Sequence, residues 1–85
     1  MPTIAIFAGI IIRMYFLSGE HNPPHVHALY GEYAAAIAIK TRSLLDGHLP
    51  PGELGKVRRW MEAYEAELLE MWETQQFRRL PALGR

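Results

Sequence analysis

The sequence predicts an α+β fold: a small antiparallel sheet of three or four strands, followed by one long C-terminal helix packed on one face. Three observations carry that prediction. Ile10 to Phe16 alternates, with Ile10, Ile12, Met14 and Phe16 forming a wholly apolar face against Ile11, Arg13 and Tyr15. Two apolar runs, Val26 to Tyr30 and Tyr33 to Ile39, flank the dipeptide Gly31-Glu32, which suits a two-residue hairpin turn. From about Gly52 to Gln76, Leu54, Val57, Met61, Tyr64, Leu68, Met71 and Gln75 recur at spacings of three and four.

The 85 residues suit a single domain spanning 1–85: a β-rich part over 1–40, a helical part over 52–76 and a tail over 77–85. Residues Thr3 to Phe7 are apolar and partly β-branched, and Gly9 interrupts them before the Ile10 to Phe16 strand. In the hairpin, a type II′ turn pairs Tyr30 with Tyr33, Ala28 with Ala35 and Val26 with Ile37. His27 then pairs with Ala36 and His25 with Ala38 on the opposite face. The histidines would rise beside the small side chains Ala34, Ala36 and Ala38. If the first strand joins the same sheet, Arg13 and Tyr15 share their face. Lys40 to Pro50 reads as a connection in which Leu44 and Leu45 tuck back and Asp46-Gly47 turns.

Pro50-Pro51 marks the helix start. The helix is one long element or two pieces bent near the middle; as one element it is about 35 Å long at about 1.5 Å per residue and overhangs so small a sheet. That overhang favours a dimer, or a hetero-complex formed through the C-terminal helix. Its charges oppose the helix dipole, with Lys56, Arg58 and Arg59 early and Glu62, Glu65, Glu67, Glu70 and Glu73 late. They form either an acidic patch for a basic partner or simply a solvated face. In the tail, Leu80 and Leu83 are the residues available for docking.

Composition narrows the function classes. Hydrophobic content of 49% with 21% charged residues is that of a globular chain. Nine basic and nine acidic residues balance, which argues against a dedicated non-specific nucleic-acid binder but not against a local basic patch. With no cysteine there is no disulfide, thiolate metal site or cysteine nucleophile. The apolar run Ile4 to Ile12 contains Gly9 and ends at Arg13, too short to span a bilayer, so no membrane association is expected and the cytoplasm is the expected compartment.

The stretch Glu20-His21-Asn22-Pro23-Pro24-His25-Val26-His27 concentrates the chemistry. Two adjacent prolines fix two φ angles and bias the residues before them towards extended backbone, so a stiff loop delivers His25 and His27 to one strand face at i and i+2. Three chemistries fit. In acid–base catalysis on RNA, His25, His27 and His21 would be the proton carriers, Arg13 the phosphate cation and Tyr15 a hydrogen-bond donor or stacking ring; this needs no cofactor. In a metal site, His21, His25 and His27, with Glu20 in reserve, would ligate zinc and leave a position for water. In the third, the histidines cap a β-connection or form a contact surface with no chemistry. His48, Tyr30 and Tyr33 read as turn-supporting, and Trp60 and Trp72 as core or interface anchors.

Met1-Pro2-Thr3-Ile4, Gly9-Ile10, Ile12-Arg13-Met14-Tyr15-Phe16, His21-Asn22-Pro23-Pro24-His25-Val26-His27, Gly31-Glu32-Tyr33, Gly47-His48-Leu49-Pro50, Trp60, Glu67-Leu68-Leu69 and Trp72-Glu73 together resemble a small bacterial family, domain of unknown function 4160. The resemblance runs in order over nearly the whole chain. Typical members carry Asp before His21, where this chain has Glu20. The resemblance implies one half of a two-gene toxin–antitoxin-type module, beside a cognate small partner protein, and brings no settled chemistry. Joined to the histidine face, it leads us to expect a toxin-like, RNA-cleaving or RNA-binding component. If it is an enzyme, a metal-independent endoribonuclease is expected; a non-catalytic, antitoxin-like interaction module and a histidine metal-binding protein are the alternatives.

Overall fold

The structure is a computed structural model and describes residues 2–15 and 23–82. Its strands are β1 (Thr3–Phe7), β2 (Ile10–Arg13), β3 (His25–Tyr30), β4 (Tyr33–Ala38) and β5 (Leu44–Gly47). They form one five-stranded antiparallel sheet in the order β1-β2-β3-β4-β5, so each strand lies beside its sequence neighbours. Two helices follow, α1 (Pro51–Ala63) and α2 (Glu65–Thr74). The α+β class therefore holds, but the sheet has five strands rather than three or four, and the helix is two elements rather than one.

The turns explain the sheet. Ala8 and Gly9, at φ 52° and 76°, both take the left-handed conformation that a type I′ turn requires, which folds β2 back on β1. Gly31 has φ 58° while Glu32 is not at positive φ, as a II′ turn demands, and the β3–β4 register is the one expected: Tyr30 with Tyr33, Val26 with Ile37, His27 with Ala36 and His25 with Ala38. Leu44 to Gly47, read from the sequence as part of a connection, is an edge strand on β4. Leu44 and Leu45 do not tuck back: they are 40% and 44% exposed. Asp46-Gly47 lies at the end of this strand, where Gly47 has φ 79° and a Cβ would overlap the Ala34 carbonyl oxygen.

The buried core joins Ile4, Ile10, Ile12, Val26, Ala28 and Ile37 of the sheet to Val57, Trp60, Met61, Leu68 and Met71 of the helices. α1 begins at Pro51, where a missing N–H costs nothing in the first turn. The helical axis bends at Tyr64 (φ −115°, ψ 24°), although Tyr64 N–H still donates to Trp60 O and Leu68 N–H to Tyr64 O. The break there leaves both helical segments in one core, with Val57, Trp60 and Met61 from α1 and Leu68 and Met71 from α2. It also revises the charge pattern. Glu65 and Glu67 occupy the first turn of α2, where a helix N-terminus favours carboxylates, and only Glu70 and Glu73 remain towards its C-terminus. Gln75, at φ 58°, closes α2 by donating its N–H to Met71 O.

Two ties hold these layers. The Arg42 guanidinium meets Glu65 Oε1 at 2.8 Å and donates to Ile39 O, while Arg58 Nε donates to Arg42 O. The β4–β5 connection is thereby joined to the bend between the helices. The tail docks through Leu80, whose N–H donates to Ile4 O at 2.7 Å, and through Pro81 O, which accepts from Trp60 Nε1 at 2.9 Å. Leu83 lies outside the described residues. Among those described, no helix is long and apolar enough to cross a membrane.

Candidate functional site

The sheet register aligns one residue from every strand on the face away from the main core. Thr3 is opposite Arg13, Arg13 opposite His27, His27 opposite Ala36 and Ala36 opposite Asp46. Paired residues on antiparallel neighbours point to the same side, so a cation, an imidazole, a methyl floor and a carboxylate succeed one another across the sheet. Next to this row, His25 sits opposite Ala38. The register puts Arg13, His27 and His25 on one face, and Tyr15, which follows β2, meets His27 there.

The loop before β3 fixes His25. The Pro24 carbonyl accepts from Ile39 N–H at 2.9 Å, and His25 Nδ1 lies 2.8 Å from the Pro23 carbonyl oxygen. A carbonyl only accepts, so Nδ1 carries the proton in this contact, which leaves Nε2 free to exchange protons with a ligand. The His25 ring also packs against His27, with centroids 5.0 Å apart, and against Trp72 of α2 at 5.1 Å. His27 in turn meets Tyr15 at 4.3 Å, nearly edge to face. Four rings thus follow one another over the surface: Tyr15, His27, His25, Trp72.

Electrostatics acts on His27 in a resolved direction. Burial pushes the His27 pKa below the usual histidine value, the neighbouring His25 lowers it further, and Asp46, one strand beyond Ala36, partly opposes both. At neutral pH, His27 is therefore a neutral imidazole able to accept a proton. Arg13 is half-buried, and its Nε is enclosed without a hydrogen-bond partner among the described residues.

Of the five residues singled out from sequence, the structure gathers Arg13, Tyr15, His25 and His27; His21 lies outside the described residues, as does Glu20. Among the described residues, no three His, Asp or Glu side chains gather as a metal-ligand set. His48 is exposed and sits near Tyr33, with ring centroids 5.7 Å apart, while its N–H donates to Ala34 O. Two members were missed. Asp46 reads as a turn residue and Trp72 as an anchor, and each joins the histidines only because β5 pairs with β4 and the bent helix returns α2 to the loop.

Comparison with curated proteins and with solved structures finds no match. The sequence model of one family, described as a domain of unknown function, matches residues 9–73, a stretch holding the hairpin, both helices to Glu73 and every residue of the gathered site. On that match, the chain belongs to the DUF4160 family.

Proposed function

We propose that this protein is the toxin-like component of a bacterial two-gene toxin–antitoxin-type module and cleaves RNA at the His25/His27 face without a metal ion. The observation that supports this best is the imidazole pair itself: two rings 5.0 Å apart, one held neutral by burial and the other with its Nδ1–H engaged, beside the cation Arg13. In this reading, His27 accepts the proton of a ribose 2′-hydroxyl. The 2′-oxygen attacks phosphorus, and the bond from phosphorus to the 5′-oxygen breaks. His25, protonated at Nε2, gives its proton to the departing 5′-oxygen. The products are a 2′,3′-cyclic phosphate and a free 5′-hydroxyl, and a water-mediated proton exchange resets the two imidazoles. Arg13 offsets the charge that builds on the non-bridging phosphate oxygens. Tyr15, edge to face with His27, keeps that ring oriented and offers its phenol to the substrate. The protein works in the cytoplasm, and its cognate partner covers the exposed acidic side of the helices, where Glu62, Glu70 and Glu73 stand out.

Controlled expression in a bacterial host, with growth and total RNA followed together, tests the reading. Growth arrest with RNA loss in the wild type, absent in a His25→Ala/His27→Ala pair, is the expected result. Variants as inhibitory as the parent overturn it. RNA ends bearing 2′,3′-cyclic phosphate, formed equally with and without a chelator, are expected from the purified protein; loss of activity with the chelator would move the site to the zinc alternative.

A further inference from the structure

The four-ring series has histidines in its middle and larger aromatics at its ends. Tyr15 follows β2 and reaches His27 at 4.3 Å; Trp72 comes from α2 and reaches His25 at 5.1 Å. The rings meet at 69°, 67° and 54°, so none is stacked in parallel on its neighbour. Tyr15 and Trp72 both remain partly exposed, in contrast to Trp60, which is fully buried with its indole N–H bound to Pro81 O. Trp72 packs against the core on one side and keeps the rest of its ring exposed beside His25.

We propose that the site takes a single-stranded RNA step, its phosphodiester over His25 and His27 and its two flanking bases against Tyr15 and Trp72. This rests on the ribonuclease reading and names its substrate class. A base in a duplex is stacked on both faces and paired at its edge, so only an unpaired base can lie against a protein ring. Charge points the same way. The chain is neutral overall, and Arg13 is the one cation in the cross-strand row, so few phosphates can be neutralised and contact with bases must supply most of the affinity. The β4 residues opposite the two histidines, Ala36 and Ala38, contribute only methyl groups beside the imidazoles.

The test uses the full chain and a short single-stranded oligonucleotide whose 2′-hydroxyls are methylated, so that it binds without being cut. Its addition is expected to quench tryptophan emission, since the partly exposed Trp72 would be covered while Trp60 stays buried. The same sequence in a duplex is expected to bind at least tenfold more weakly. The affinity is expected to fall gently with salt, with a log–log slope of about −0.7 to −1.4 for one or two phosphate contacts. Trp72→Leu and Tyr15→Leu should each weaken binding about five- to a hundredfold, while Trp72→Phe and Tyr15→Phe, which keep a ring, stay within a few-fold of wild type. Duplex binding equal to single-strand binding, or Leu variants that bind as tightly as wild type, would overturn the proposal. Should Trp72→Leu fail to fold, the Tyr15→Leu and Tyr15→Phe pair carries the comparison. Binding as described with no cleavage of unmodified RNA would refute the ribonuclease reading and leave the recognition intact; cleavage unaffected by both Leu variants would refute the recognition alone.

Discussion

Replacing Gly47 by alanine tests the edge of the sheet and, through it, the site. Gly47 has φ 79°, and a Cβ there would overlap the Ala34 carbonyl oxygen and stand 2.9 Å from Ala35 Cα. Both obstacles are backbone, so neither can be relieved by turning a side chain. The left-handed conformation alone costs an L-residue about 1–2 kcal/mol. The overlap adds to this, and the cheapest relief is for β5 to move off β4, giving up ladder hydrogen bonds worth about 1 kcal/mol net each. A loss of about 2–3 kcal/mol follows, which for a domain of this size lowers Tm by roughly 10–20 °C. Gly31→Ala is the matched control: its φ is 58°, yet nothing lies within 4 Å of a Cβ there, so only the conformational cost applies. Calorimetry on the two variants separates the overlap from the φ penalty. The consequence for the site is specific to Gly47, because Asp46 is the neighbour that raises the His27 pKa against burial and His25. If β5 shifts, His27 loses that support, and its pKa, followed by NMR, should fall below the wild-type value. A Gly47→Ala protein no less stable than Gly31→Ala, or an unchanged His27 titration alongside a large stability loss, would refute the reasoning.

Three further outcomes are expected. Because the folded-state pKa of His27 lies below its unfolded value, the unfolded chain binds the proton more readily; stability should therefore be full above about pH 6.5, the ordinary histidine value, and decline as pH falls from there towards the depressed folded pKa, with His27→Gln flattening that part of a Tm-against-pH profile. Ala8→Asn, which tolerates φ 52° in the β1–β2 turn better than alanine does, should raise stability by about 0.5–1 kcal/mol in urea melts with an unchanged m-value. Trp60→Phe keeps a ring but loses the bond to Pro81 O, so about 1 kcal/mol should disappear and the amide of Leu80, held on Ile4 O, should exchange with solvent faster.

Local chemistry was legible where it acts over a few residues. Gly31-Glu32 sets the turn, the turn sets the register, and the register alone puts His27 beside Ala36 and His25 beside Ala38. Alternation in Ile10 to Arg13 then selects the face that Arg13 shares with them. What was not legible depends on contacts distant in sequence. Leu44 to Gly47 lacks the apolar alternation of a strand and carries the turn signal Asp46-Gly47, yet pairs along the edge of β4. Nothing in Ala63-Tyr64-Glu65 resembles a helix break, since neither Gly nor Pro is present; the bend coincides with Arg42 on Glu65, a partner from the β4–β5 connection. The expectation of one long helix came from the three-and-four spacing of its apolar residues, which runs unbroken through Tyr64.

The same bend joins the fold to the proposed chemistry. The second helical segment, which starts after Tyr64, brings Trp72 to within 5.1 Å of His25. The Pro23-Pro24 loop is fixed from β4 by the Ile39 amide and supplies the carbonyl that orients His25 Nδ1, so the imidazole is held from the strand side and the helix side together. His27 is placed by its strand, with Tyr15 on one side and His25 on the other. Two histidines two residues apart thus differ in what holds them, His25 by the loop carbonyl and Trp72, His27 by its strand and Tyr15. In the proposed reaction, those separate placements let one imidazole take the proton of the 2′-hydroxyl while the other gives a proton to the departing oxygen.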